Sequence, residues 1–241
     1  MTSPVLEVPP AASTVFGAAL PRLEAYADLL AGPGVERGLL GPRETPRLWE
    51  RHLLNCAGLA ELVEEGSVVL DLGSGSGLPG LVLALMRPDL SVVLVEPLLR
   101  RATFLSEVVE QLGLRTVVVR RCRAEELHGT VEVDVVTARA VAPLERLAGW
   151  AMPLLRPGGR LLAQKGEQAQ AELDAALPVL RRAGAVSAEV VQVGSAELAT
   201  DGRVVVATRS TSVPARKRPA GRPSSDRPGG ISATSKRKDR R

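Results

Sequence analysis

Short apolar runs rich in valine and leucine recur through the middle of the chain. Longer stretches with apolar residues three and four apart lie between them. The short runs predict strands at 67–72, 91–96, 115–120, 133–138, 159–164, 185–193 and 202–208. The longer stretches predict helices at 78–86, 98–112, 143–155 and 167–182. Strands and helices in strict alternation build a parallel sheet with helices on both faces. The last two strands have no helix between them, and residues 194–202 are turn-like. They are expected as an antiparallel hairpin at one end of a mostly parallel, seven-stranded α/β sheet.

Two further helices precede this pattern. Leu23, Tyr26, Ala27 and Leu30 share one face of a helix over 21–31, which Gly32, Pro33 and Gly34 should stop. Pro46 suits the first position of a second helix, over 46–63. There Leu48, Trp49, His52, Leu53, Cys56, Leu59 and Ala60 recur at helical spacing. Residues 1–20 are expected to be a flexible N-terminus. From 209 to 241 Ser, Pro, Gly, Arg and Lys dominate with almost nothing to bury, which predicts a disordered tail. The chain thus divides into 1–20, a domain over 21–208 with a helical lead-in at 21–64, and the tail at 209–241.

Charge sharpens that division. The net charge of +4 is the sum of +9 in residues 209–241 and −5 in residues 1–208. Basicity belongs to the tail, where it can attract phosphate, and not to the body. If the tail does attract phosphate, removing residues 209–241 should weaken nucleic-acid binding mainly at low salt and leave small-ligand binding by the body intact. Aromatic residues are only 2%, so extensive base-stacking surfaces are not expected. No apolar run is long enough to span a membrane, and the first residues lack the basic start and apolar stretch of a secretory signal. Cys56 and Cys122 are too far apart to suggest a disulfide framework or a zinc site, and neither His52 nor His128 has companions for a metal. A cytoplasmic monomer is expected.

The candidate chemistry starts where the first strand of the sheet ends. Asp71 is followed by Gly73, Gly75 and Gly77, then by Leu78, Pro79 and Gly80 and a new apolar segment. Gly75, Gly77 and Gly80 also fit the spacing of a dinucleotide loop, a weak signal alone. An acidic side chain directly before the first glycine would repel a pyrophosphate but attract the ammonium and sulfonium groups of S-adenosylmethionine. Glu96 ends the second strand, where an acid can hold ribose hydroxyls. Arg123, Ala124 and Glu125 follow the third strand, where an adenine could lie. Strand ends of a parallel sheet open on one edge, so these three loops can serve one ligand.

The remaining strand ends bear on the methyl acceptor. The fourth lacks the Asn/Asp-Pro-Pro-aromatic motif that grips an exocyclic amine, and Cys56 and Cys122 are read as buried or incidental thiols. Arg139 and Lys165 stand at the fourth and fifth strand ends instead. Cations without a base suit an acceptor that needs no deprotonation. Guanine N7 carries a lone pair and no proton, and Arg or Lys can reach O6 or a phosphate. A small-molecule methyltransferase with an incidental basic tail is the alternative. A relic RNA-binding fold and an NAD-dependent oxidoreductase are weaker ones.

Together these residues resemble the RsmG (GidB) family of small-subunit rRNA methyltransferases. The likeness runs from about residue 26 to 206. It rests on residues 38–44 and 48–55 (Leu48 to Asn55, with Arg51 and His52), on Asp71 to Gly80, and on Arg123 to Glu125, Ala138 to Ala140, and Gln164 to Gly166. It implies a class I, Rossmann-like fold and S-adenosylmethionine-dependent N7 methylation of a guanine in the 530 loop of 16S rRNA, within the 30S subunit or an assembly intermediate. It also implies cofactor contacts at Gly73, Leu78, Ala124, Glu125 and Arg139. Asp71, Gly75 and Glu96 join them from the reading above. Arg139, Lys165 and His52 are the expected catalytic set. Glu96 stands where some members have Asp, and the basic tail has no counterpart in the family pattern.

Overall fold

The computed structural model describes residues 6–195 and 202–211. Within them seven strands form one sheet: β1 (Val68–Leu72), β2 (Ser91–Val95), β3 (Val117–Arg120), β4 (Val133–Arg139), β5 (Leu155–Lys165), β6 (Ala185–Val193) and β7 (Gly202–Arg209). Their spatial order is β3-β2-β1-β4-β5-β7-β6. Strands β1 to β5 are parallel, and the chain winds outward in both directions from β1 and β4. That junction is where a sheet of this type opens a crevice at its carboxyl edge.

Helices α4 (Gly80–Met86), α5 (Leu99–Gln111), α6 (Leu144–Ala151) and α7 (Ala169–Arg182) are the crossovers. The lead-in and α4 and α5 cover one sheet face, and α6 and α7 the other. Strand periodicity sorts side chains between them. Along β1, Val69 joins the first core and Leu70 and Leu72 the second. Asp71 therefore falls on the α4 side, level with Thr137 of β4.

The expected hairpin forms, but β7 inserts between β5 and β6 and runs antiparallel to both. The reversed strand is thus interior, and Val204, Val205 and Ala207 are fully buried. Its last residue, Arg209, donates to the carbonyls of Pro153 and Leu155, so the strand reaches one residue into the expected tail. Residues 212–241 and most of the 194–202 turn lie outside the described residues.

The N-terminal part differs most from expectation. Residues expected to be flexible include α1 (Pro10–Phe16), which buries Ala12 and Phe16 and packs Phe16 against Trp49, ring centres 6.1 Å apart. Helix α2 (Leu20–Leu29) does not stop at Gly32. It widens into a π turn over Leu30–Gly34 that absorbs Pro33, and the Gly34 carbonyl accepts from Leu39. The second lead-in helix is a chain of unlike turns: 3₁₀ at Thr45–Arg47, π at Leu48–Leu54, α3 (Asn55–Ala57), and 3₁₀ at Gly58–Leu62.

Candidate active site

Apolar alternation carries β1 into the core, and its one acid stays buried. Asp71 is fully inaccessible. Its Oδ2 accepts from the Gly80 amide at 3.1 Å, at the first turn of α4, and its Oδ1 accepts from the Thr137 hydroxyl at 3.1 Å. Burial pushes its pKa up to about 6, against hydrogen bonds that pull it down. Asp71 therefore sits beneath the glycine loop and ties it to the helix instead of facing a ligand. Gly80 explains the closeness: a Cβ there would lie 2.6 Å from Leu94 Cδ2 and 2.7 Å from Asp71 Oδ2. The third glycine of the dinucleotide-type spacing thus serves helix–strand packing.

Above it the loop turns at Gly73, at φ +69°, where a side chain is disfavoured and a Cβ would meet Val141 at 2.8 Å. The Gly73 and Ser74 amides donate to the Val95 carbonyl. The Tyr26 hydroxyl, from α2, donates to the Ser76 carbonyl at 2.8 Å. Glu96, 2% exposed, accepts from the Gly75 amide at 3.0 Å and from Leu98 at 2.9 Å. It lines a cavity of about 380 Å³ with Gly73, Leu98, Ala124, Glu125 and Trp150. A smaller one, about 210 Å³, is bounded by Gly73, Ser74, Gly75, Leu78, Arg101 and Arg139.

Arg139, the last residue of β4, reaches back to the lead-in. Its guanidinium donates to the carbonyls of Arg51 (3.1 Å) and His52 (3.4 Å), to Cys56 Sγ (3.1 Å) and to His52 Nδ1 (2.6 Å). On the other side of the imidazole, His52 Nε2 lies 2.9 Å from Glu44 Oε2. Desolvation first, then the Arg139 charge, lowers the His52 pKa, while Glu44 opposes them. The Glu44 carboxyl is held below its usual range chiefly by the His52 hydrogen bond. Burial raises the Cys56 thiol, while the Arg139 charge opposes it.

Lys165, ending β5, donates to Glu172 at 2.7 Å and to the Ala142 carbonyl at 3.0 Å. Its side chain is 9% exposed. Arg139, Lys165, His52, Glu44 and Gln164 together line a third cavity of about 910 Å³. Ala140 borders all three cavities with its backbone at φ +54°, a conformation uncommon outside glycine.

The sequence-expected residues are thus gathered on one sheet edge, with Asp71 behind it and Lys165 already paired. Sequence reasoning gave no role to Ala140, Glu44, Gln164, Glu172 or Tyr26. Tyr26 left a signal, because the chain's single tyrosine on a core-facing helix needs a partner for its hydroxyl. Gln164 is buried and donates to Asn55, joining β5 to the lead-in. The carbonyl and carboxylate partners of Arg139 and Lys165 leave no trace in spacing.

The model of the GidB family, rRNA small subunit methyltransferase G, matches residues 19–199. The chain is 55% identical over 220 residues to the ribosomal RNA small subunit methyltransferase G of Thermobifida fusca, covering 91% of this chain and 93% of that one. It is 59% identical over 192 residues to the protein of the same name from Streptomyces avermitilis, covering 78% and 81%. Among solved structures it is similar in fold to M. jannaschii TYW2 in complex with AdoMet, with TM-score 0.54, 17% identity and 68% and 78% covered. It is also similar to a SAM-dependent O-methyltransferase from Thermotoga maritima, with TM-score 0.53, 18% identity and 66% of each chain covered.

Proposed function

The chain belongs to the rRNA small subunit methyltransferase G (GidB) family, and on that footing we propose that it transfers a methyl group from S-adenosylmethionine to N7 of a guanine in the 530 loop of 16S rRNA. It acts as a cytoplasmic monomer on RNA carried by the 30S subunit or an assembly intermediate. The observation that carries this reading is the meeting of three cavities at Ala140, with Gly73 and Arg139 on the walls between them.

The residues present fit the cofactor. The 380 Å³ cavity pairs apolar walls (Leu72, Val95, Leu98, Trp150) with one buried carboxylate, Glu96. That combination suits a nucleoside, since each Glu96 oxygen keeps a lone pair beyond those meeting Gly75 and Leu98. Ala124 and Glu125 bound the base end. The loop from Gly73 to Leu78 borders the 210 Å³ cavity, which suits the amino-acid end. When bound, S-adenosylmethionine supplies an electrophilic methyl group on a sulfonium.

The chain's own work is then positioning. The 910 Å³ cavity admits the guanine, and Arg139 donates toward its O6 while holding N7 in line. His52 and the Lys165–Glu172 pair form its walls. Asp71 acts from below by locking the loop to α4. No general base is required, because N7 carries no proton. This cavity is open and carries the charged side chains of Glu44, Arg51, Arg139, Lys165 and Glu172, whereas a small-molecule acceptor would be favoured by a closed hydrophobic pocket.

Incubating the protein with labelled S-adenosylmethionine and 30S particles lacking this methylation tests the proposal. Aniline cleavage should then map a new N7-methylguanine in the 530 loop. Label elsewhere, or none, rejects the assignment.

A further inference from the structure

Four contacts from Arg139 link the end of β4 to the lead-in, a fifth joins His52 to Glu44 within it, and the donor–acceptor logic of the two that meet the imidazole is restrictive. An arginine has donors only, so the 2.6 Å contact between Arg139 Nη2 and His52 Nδ1 requires a lone pair on Nδ1. The neutral imidazole then carries its proton on Nε2, which faces Glu44 Oε2 at 2.9 Å. A doubly protonated ring would turn an N–H toward the guanidinium and set two cations against each other. The same guanidinium also grips the Arg51 and His52 carbonyls and Cys56 Sγ, so the lead-in holds both Nη groups and leaves Nε–H to donate toward the acceptor.

We propose that Glu44 is a positioning residue for methyl transfer: through His52 it holds the imidazole in the Nε2–H form, and that form keeps Arg139 aimed where the three cavities meet. The inference rests on the guanine-methylation reading above and names how its key cation is set. Glu44 and His52 line the same 910 Å³ cavity as Arg139, so the arrangement lies at the acceptor site. The charged groups facing His52 are Glu44, Arg51 and Arg139, with the Cys56 thiol sharing Arg139. Arg51 also leans on Glu44 at 3.4 Å. Below the His52 pKa the ring gains a proton, Nδ1 ceases to accept, and Arg139 loses one of its four contacts and faces a second cation. Activity should therefore fall on the acid side.

Two variants separate this from a structural role. In Glu44→Gln the amide oxygen still accepts from Nε2–H, so the tautomer is kept and turnover at neutral pH falls less than in Glu44→Ala. The carboxylate charge that favours the protonated ring is gone, however. The His52 pKa drops further, and the acid limb of the pH–rate profile moves to lower pH. Asp71 titrates in both proteins and has no contact with Glu44, so the difference between the profiles belongs to the Glu44–His52 pair. In Glu44→Ala the tautomer lock is lost as well, and turnover falls about tenfold at neutral pH with adenosylhomocysteine affinity unchanged.

A second readout does not depend on activity. The chain has two histidines, so nitrogen-15 spectra of the free protein, assigned with His52→Asn, report the His52 tautomer directly. Nε2–H in the wild type and a mixed ring in Glu44→Ala support the relay. An Nδ1–H ring in the wild type, an acid limb unmoved in Glu44→Gln, or a Glu44→Ala protein that loses cofactor affinity in step with turnover overturns it. A wild type that methylates no rRNA rejects the functional reading instead, while the imidazole spectra still decide the relay.

Discussion

At the ends of β1 and β2, two buried carboxylates bind the chain's own amides. Asp71 holds Gly80, and Glu96 holds Gly75 and Leu98. At the ends of β4 and β5, two cations bind oxygens, and Arg139 also a ring nitrogen, contributed from other parts of the fold. Arg139 seizes the lead-in, and Lys165 seizes Glu172 of α7. The first pair shapes the glycine loop, Asp71 from its own strand–turn–helix unit and Glu96 from the neighbouring strand end. The second pair docks separate elements against each other. Damage to the first should therefore spread into stability and cofactor affinity together, and damage to the second should concentrate on the acceptor.

The largest expected effect breaks the first pair. Gly80→Ala would put a Cβ within 2.7 Å of Leu94 and of the Asp71 carboxylate, so α4 must back away and the Asp71–Gly80 bond is lost. Overpacking and an unpartnered buried carboxylate oxygen together should cost about 3 kcal/mol in urea unfolding. Adenosylhomocysteine affinity should drop at least about tenfold. A variant as stable as the wild type would mean that the loop is not anchored through this contact. Next in size, Arg139→Ala removes the donor to the acceptor and frees His52. Loss of a charged, partly buried hydrogen bond suggests about 2.7 kcal/mol, or about 100-fold in kcat/KM for rRNA. Cofactor affinity should change far less. Equal losses in both would erase the contrast between the two halves.

Strand number, parallel order and the gathering of site residues were legible because period-two apolar runs and glycine punctuation are local. The side on which Asp71 lies was legible too: with Val69 on one face and Leu70 and Leu72 on the other, parity puts Asp71 under α4. Reading it as a ligand-facing charge overlooked that alternation. The lead-in was less legible. Its apolar positions suit one long helix over 46–63, whereas tertiary packing around Trp49 and Phe16 and the grip of Arg139 on the Arg51 and His52 carbonyls accompany π and 3₁₀ turns. The pairing of Lys165 with Glu172 needs residues on separate elements and has no sequence signature.

Asp71 offers a sharper test through pH. Its pKa is raised from 3.8 to about 6, so the folded state binds the proton more tightly than the unfolded chain. This group's contribution to stability therefore grows as pH falls through 6 toward 3.8 and is lost as pH rises above 6. Asp71→Asn keeps an acceptor for Gly80 and a donor for Thr137, whose hydroxyl can turn, but it cannot titrate. Relative to the wild type, the variant should become less stable by about 1.4 kcal/mol on going from pH 7.5 to pH 5. Urea midpoints of both proteins at the two pH values measure it. A difference that stays constant, or that shrinks at pH 5, means the carboxylate is better solvated than its burial implies.

The smallest effect concerns Lys165, where the two halves make opposite demands. If its ammonium serves mainly to dock α7, its worth lies in the pairing with Glu172 and not in contact with guanine. Glu172 also accepts from the Leu144 amide at 3.2 Å, so removing Glu172 takes the partner from that amide and leaves the charged lysine only the Ala142 carbonyl, while removing Lys165 takes a neutral carbonyl's partner alone. Glu172→Ala should therefore cost more stability than Lys165→Met. The lysine is 9% exposed and the glutamate 32%, so solvent screens the pair only partly. A double-mutant cycle should give a coupling of about 1 kcal/mol, near the upper end for exposed pairs. Lys165→Met should then lower kcat/KM for rRNA by no more than about threefold. A much larger loss, undiminished when Glu172 is already Ala, would move Lys165 from the scaffold to the acceptor.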